Sequence, residues 1–220
     1  MLIAPSLFAA DAARLGAAAK LAEDAGADRL HIDVMDGSFV PNLSFGPNIV
    51  QAVRRCTTLP FDLHLMINHP ERHTPAFISA GADLVIAHVE ADGSVDAVAD
   101  ACRTAGVQFG LAVSPGTALD RVEPWAGALD WLLVMTIEPG FGGQRFLPWC
   151  VPRIEQAVAR RSELQAHFRG AVDGGITPAT APACVQAGAD LVVAGTFLYG
   201  AACMATAMAE LRNSAAGTFS

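Results

Sequence analysis

Eight short apolar runs separated by stretches of helical spacing, a tetrapeptide repeated at three of the junctions, and polar residues gathered at the ends of the runs predict an α/β chain: a (β/α)8 TIM barrel, built as a single domain over residues 1–220. The runs are almost continuously apolar, as parallel strands buried on both faces are. Strict alternation of strand and helix within 220 residues favours closure into a barrel over a doubly wound open sheet.

The first run, Leu2 to Pro5, leads into an alanine-rich helical pattern over 11–25 that ends on Ala25-Gly26-Ala27-Asp28. The same four residues return at 80–83 and 187–190. A glycine at that point supplies the left-handed cap of a helix, so a strand starts at once. The strands that follow the three copies are Arg29 to Asp33, Leu84 to His88 and Leu191 to Gly195, and Phe61 to Met66, Val107 to Val113, Trp131 to Thr136 and Arg169 to Asp173 complete the eight. Further helices are predicted over 47–55, 70–80, 94–105, 118–126, 150–167, 177–187 and from about 201. The units after the second and sixth strands are longer, and the extra residues, 35–47 and 137–149, lie behind the strands. In barrels those loops carry the chemistry.

Composition narrows the partners. Hydrophobic residues make up 52% and charged residues 16% of the chain, which suits elements buried on both faces. A net charge of -8 without a basic cluster excludes nucleic acid as a partner, and an anionic substrate would have to be held by backbone N–H groups and local dipoles. Five cysteines, odd in number and without a C-x-x-C spacing, argue for reduced thiols and a cytoplasmic location. The start, Met1 to Ser6, lacks a basic segment and reads as a strand and not as an export signal. Residues 191–209 carry no charge, but Gly195, Thr196 and Gly200 interrupt them, so no membrane partner is expected.

Side chains alternate along a strand, so His31, Asp33 and Met35 share one face of theirs and His64 and Met66 share one face of theirs. Asp173 ends the seventh strand. Singly, each histidine would be a satisfied core residue and each aspartate a helix cap; four at the strand ends of one barrel are a candidate site. Two imidazoles and two carboxylates suit one divalent metal ion, Zn2+, Fe2+, Mn2+ or Co2+. His88, followed two residues later by Glu90, competes with His64 as a ligand; His64 is preferred because its strand repeats the polar alternation of the second. His69, His73 and His167 fall in helix or loop patterns and are expected to be solvated.

Two carboxylates facing each other across a barrel mouth suit proton transfer at carbon, one removing a proton and the other returning one to the opposite face, while a metal ion stabilises the enediolate between the steps. Met35, Met66 and Met135 end strands on the same face and would keep water away from such a species. Glycine loops follow the last three strands: Gly140 to Gln144, with Gly142 and Gly143; Gly174-Gly175; and Gly195-Thr196. After the seventh and eighth strands such loops commonly hold phosphate, and the first could close over a substrate.

The segments Ala4-Pro5-Ser6, His31 to Gly37 with Phe39 to Asn42, His64-Leu65-Met66, His88-Val89-Glu90, Val134-Met135 with Glu138 to Gln144, Val172 to Gly175 and Ala194-Gly195 closely resemble the ribulose-phosphate 3-epimerases, in order and over nearly the whole chain. The resemblance implies interconversion of D-ribulose 5-phosphate and D-xylulose 5-phosphate, a small-molecule ketose phosphate, in the pentose phosphate pathway or the Calvin cycle. It implies metal ligation by His31, Asp33, His64 and Asp173, with Asp33 and Asp173 as the catalytic pair. Substrate contacts are implied for Ser6, His64, Met35, Met66 and Met135, and for Gly140, Gly142, Gly143, Gln144, Gly174, Gly175, Gly195 and Thr196. Ser38 stands where the family often has His, Ser114 where Asn is common, and Thr196 where Ser is usual; Thr196 keeps the hydroxyl.

Two other functions fit less well. A 3-epimerase of allulose 6-phosphate would need only a slightly longer pocket, and a non-catalytic sugar-phosphate-binding barrel would lack one of the two aspartates, both of which are present. Phe39, Val40, Leu43 and Phe45 are apolar enough to meet a neighbouring subunit or a closing lid, and a homo-oligomer is expected.

Overall fold

In the computed structural model, which describes residues 1–216, eight parallel strands pair in the order β1-β8-β7-β6-β5-β4-β3-β2. They are β1 (Leu2–Pro5), β2 (Leu30–Met35), β3 (Phe61–Met66), β4 (Leu84–His88), β5 (Gln108–Val113), β6 (Trp131–Met135), β7 (Arg169–Asp173) and β8 (Leu191–Ala194). The two ends of this sheet meet through a single parallel bridge between Ser6 and His31, which makes the sheet a barrel. Helices surround it: α1 (Leu15–Asp24), α2 (Pro47–Arg54), α3 (Thr74–Ser79), α4 (Val95–Ala105), α5 (Val151–Glu163), α6 (Ala181–Gln186), α7 (Thr196–Tyr199) and α8 (Met204–Ala216). No helix among the described residues is long and apolar enough to cross a membrane.

Alternation along each strand separates two cores. Ile32, Val34, Leu63 and Leu65 face outward and pack under the helices, while Leu84, Ile86, Leu133, Ala171 and Val193 fill the barrel. Trp131 closes the lower end of the interior between the guanidinium groups of Arg29 and Arg169, 5.8 and 4.6 Å from its ring centre. Arg29 Nε also donates to the buried Asp62 carboxylate, whose pKa burial raises.

The repeated tetrapeptide does two jobs. Gly26, Gly81 and Gly188 take φ of 85, 111 and 103°, the left-handed turn a side chain rarely adopts. The aspartate two residues on then reaches the neighbouring strand: Asp28 accepts the Ile3 N–H, Asp83 that of Phe61 and Asp190 that of Gly170, at 2.8, 2.8 and 2.9 Å. Asp130, outside the repeat, accepts from Phe109 in the same way at 2.8 Å.

Several elements differ from their expected bounds. The stretch 118–126 is a 3-10 run over Leu119–Trp125, because Pro124 has no N–H to continue an α-helix. The helix expected over 177–187 shrinks to α6, since residues 177–180 form a turn in which Thr180 Oγ1 accepts the Thr177 N–H at 2.9 Å. The last helix starts at Met204, after the separate short turn α7.

Cys102, Cys150 and Cys184 are buried, and burial pushes the thiols of Cys102 and Cys184 up to about 12 and raises that of Cys150; Cys56 and Cys203 are exposed. A raised pKa leaves little thiolate at pH 8. Titration of the native protein with Ellman's reagent at that pH is therefore expected to count two fast thiols, and five after denaturation. Fast reaction of a third would contradict this packing.

Candidate functional site

Strand register assembles the site. β2 and β3 pair with Asp33 beside His64 and Met35 beside Met66, and β6 and β7 pair with Met135 beside Asp173. His31, Asp33, His64 and Asp173 all project from the sheet to the same place, and one ligand-type atom from each lies within 4.8 Å of the others. His31 Nε2 is 3.4 Å from Asp33 Oδ1 and 3.9 Å from Asp173 Oδ2; His64 Nδ1 is 3.0 and 3.8 Å from the same two atoms. His31 and His64 are sealed from solvent at 1% and 0% exposure.

Burial and mutual charge pull the four groups apart in pKa. Burial opposes protonation of His31, but the Asp33 and Asp173 carboxylates outweigh it and raise the imidazole to about 9. For His64 burial dominates and lowers it to about 4. Burial would raise Asp33, yet the adjacent His31 and hydrogen bonding hold it well below the usual carboxylate range. Burial and the charge of Asp33 together push Asp173 up to about 7.

The donor set fits a metal ion. Neither ring nitrogen of buried His31 has a hydrogen-bond partner, and the 3.4 Å approach to Asp33 is a charge contact only. Ligands about 2.1 Å from a shared ion lie within about 4.2 Å of one another, so a spread of 4.8 Å needs only a small contraction.

His88 lies outside this group of four. It is fully buried at the end of β4, with its Nε2 2.8 Å from Nε2 of His64 and its Nδ1 2.9 Å from Glu90 Oε2. Burial alone would raise the Glu90 carboxyl, but hydrogen bonds from His88 and from the Ser114 N–H hold it at about 2. Ser6 Oγ donates to Asp33 Oδ2 at 2.6 Å. His69, expected to be solvated, is half exposed and in 3.4 Å contact with Glu71.

Above the cluster opens a cavity of about 500 Å3. Asp33 and Asp173 lie on its wall with Ser6, Met35, Met66 and Met135, and the loops add Gly140, Gly142, Gly143, Gln144, Gly174, Gly175, Gly195 and Thr196. His64 is the exception among the expected substrate contacts: it sits beneath the wall, fully buried, and does not line the cavity. Gln144 lines it but spends its side-chain amide on the loop itself, donating to the carbonyls of Glu138 and Phe141 at 2.7 and 2.8 Å.

Two of the loop glycines, Gly174 and Gly175, are sterically required. Gly174 and Gly175 take φ of 120 and 66°, and a Cβ at Gly174 would fall 2.4 Å from Ile137, at Gly175 2.6 Å from the Phe146 nitrogen. The loops after β2 and β6 also touch, for Asn42 Nδ2 donates to the Gly140 carbonyl at 2.8 Å.

Sequence reasoning missed Phe8, Phe146 and Arg145 on the same wall, because loop side chains carry no periodic signal. Arg145 is the one Lys or Arg among the described lining residues. Its position directly after the Gly140–Gln144 loop is the signal that could have found it.

Comparison with known proteins agrees with this architecture. A family model described as the ribulose-phosphate 3 epimerase family matches residues 2–199. The chain is 43% identical over 213 residues to a ribulose-phosphate 3-epimerase of Bacillus subtilis, covering 96% of this chain and 98% of that one. It is 44% identical over 214 residues to one of Mycobacterium bovis, covering 97% and 93%. Among solved structures, KGPDC from Streptococcus mutans superimposes with a TM-score of 0.72 at 13% identity, covering 100% of this chain and 99% of that one. Orotidine 5'-phosphate decarboxylase from Pyrococcus horikoshii gives 0.69 at 19%, covering 98% and 100%. At those identities the structural likeness speaks for the barrel alone.

Alanine at Gly174 is expected to destabilise the protein by about 1–3 kcal/mol, from the strained φ and the clash with Ile137. Urea unfolding checks this, and an unchanged midpoint would contradict the loop geometry.

Proposed function

The chain belongs to the ribulose-phosphate 3-epimerase family, and we propose that it interconverts D-ribulose 5-phosphate and D-xylulose 5-phosphate by moving a proton at C3. The observation that carries this reading is the pair of carboxyl groups on one cavity wall, Asp33 held ionised and Asp173 pushed up to about 7. Two neighbouring groups with pKa values driven apart are suited to act as base and acid.

In one direction an Asp33 oxygen takes the C3 proton, the electron pair of the broken C–H bond passes towards the C2 carbonyl, and Asp173 returns a proton to the opposite face of C3. In the reverse direction the two exchange roles. Ser6 Oγ, donating to Asp33 Oδ2, orients that carboxylate and leaves Oδ1 beside the histidines. Met35, Met66 and Met135 form an apolar wall that offers no competing proton to the planar enediolate.

His31, Asp33, His64 and Asp173 would hold one divalent cation, Zn2+, Fe2+, Mn2+ or Co2+. Such an ion supplies positive charge beside the carbonyl and hydroxyl oxygens of the substrate. Backbone groups of Gly143, Gly175, Gly195 and Thr196 and the Arg145 guanidinium receive the phosphate.

Epimerisation in D2O tests the assignment. Asp33→Asn and Asp173→Asn are each expected to lower turnover by about 10^2–10^4-fold and to stop deuterium entering C3 of the product; near-normal turnover in either would overturn the two-base reading. Chelation, confirmed by elemental analysis, is expected to abolish turnover and re-addition of a divalent ion to restore it. Arg145→Ala is expected to raise KM about tenfold with kcat nearly unchanged, the sign of a contact made equally before and during reaction.

A further inference from the structure

Thr136 directly follows β6, is fully buried, and stands behind a cavity wall to which both its neighbours, Met135 and Ile137, contribute. Its polar atoms are spent on the end of β7 and the turn after it. The Thr136 N–H donates to the Asp173 carbonyl at 2.8 Å, so that carbonyl already has a hydrogen. The hydroxyl has one hydrogen to give, and the nearer acceptor is the Gly174 carbonyl: Oγ1 lies 2.6 Å from it and 2.9 Å from the Asp173 carbonyl.

A trans peptide points its C=O and its N–H in opposite directions, and no peptide among the described residues is cis. A Gly174 carbonyl drawn back to Thr136 behind the wall therefore turns the Gly175 N–H forward, into the cavity that both glycines line. That N–H makes no backbone hydrogen bond among the described residues. The next peptide is pinned as well, for Thr180 Oγ1 donates to the Gly175 carbonyl at 2.9 Å.

We propose that Thr136 is a positioning residue for phosphate: its hydroxyl fixes the peptide between Gly174 and Gly175 so that the Gly175 N–H faces a phosphate group in the cavity. The proposal rests on the phosphate reading above. Glycine at both positions leaves this peptide free of side chains that would hold it, so the hydroxyl does the holding. Without it the peptide can rotate, and a rotated peptide presents a carbonyl oxygen to the anion in place of an N–H. A phosphate remote from C3 is held alike before and during reaction, so the effect falls on binding and not on turnover.

Thr136→Val keeps the side-chain shape and removes the hydroxyl, and Thr136→Ser keeps the hydroxyl. The valine variant is expected to raise KM for D-ribulose 5-phosphate and Ki for inorganic phosphate as a competitor, each about tenfold, with kcat within about twofold of wild type. The serine variant is expected to restore both. A valine variant with KM and Ki unchanged would overturn the proposal, as would a fall in kcat alone, which would assign the hydroxyl to Asp173, or a serine variant no better than the valine one.

A wild-type measurement decides the matter even if the valine variant does not fold. In protein labelled with glycine carrying 13C at the carbonyl and 15N, only the peptides 142–143 and 174–175 join two labelled residues. The spectrum of Gly142→Ala, which lacks the first, identifies the second. Inorganic phosphate added to the wild type is expected to move the Gly175 amide proton downfield, and a signal that stays in place while phosphate binds would overturn the proposal. Wild-type protein that binds no inorganic phosphate and shows no preference for D-ribulose 5-phosphate over D-ribulose would overturn the phosphate reading itself, a result distinct from failure of the Thr136 role.

Discussion

Ionisable groups in the dry interior of a barrel must answer one another, and the upper half of this molecule is organised by that constraint. Two imidazoles and two carboxyls converge there with 15% side-chain exposure at most. An isolated charge in such a place is costly, and a pair of like charges more so. A raised pKa at His31, hydrogen bonding at Asp33 and a raised pKa at Asp173 are the ways in which the side chains alone meet the requirement, and a shared cation would meet it for all four at once. The surrounding fold supplies what this cluster needs: apolar layers beneath, three methionines beside, and loops that limit water above.

Much of this was legible because a strand has a period of two. Alternation in His31-Ile32-Asp33-Val34-Met35 distinguishes inward from outward residues without a structure, and Ile32 and Val34 do lie in the outer core. The (β/α)8 architecture was legible from alternating runs and from the glycine caps. The partner of His64 was not. His64 pairs in the sheet with Ile86, so His88 stands two residues further along the adjacent strand, and its contact with His64 depends on ring rotation that no spacing encodes. The same limit hid the aspartate of the repeated tetrapeptide, whose glycine announces a cap while its carboxylate works across the gap to another strand. Pro124 was visible all along, yet the apolar spacing around it reads as an α-helix and the missing N–H turns the segment into 3-10 geometry.

Loops far apart in sequence act as one rim. Asn42 reaches across 98 residues to the Gly140 carbonyl, and a Cβ at Gly140 would stand 3.1 Å from Val40, so the β2 loop rests directly on the glycine loop after β6. Val40 packs in turn with Met35 and Met66, which ties the rim to the apolar wall of the cavity. The glycine loop is therefore joined to the cavity wall through Val40.

The tryptophan plug at the lower end has a consequence for traffic. With Trp131 between Arg29 and Arg169, and Asp62 sealed at 1% exposure beside them, the described residues close the lower end of the barrel. On the proposed function, sugar and product would enter and leave by the cavity at the opposite end. On the reading proposed above, a molecule lying in that mouth would stand between the two carboxyls and bulk water.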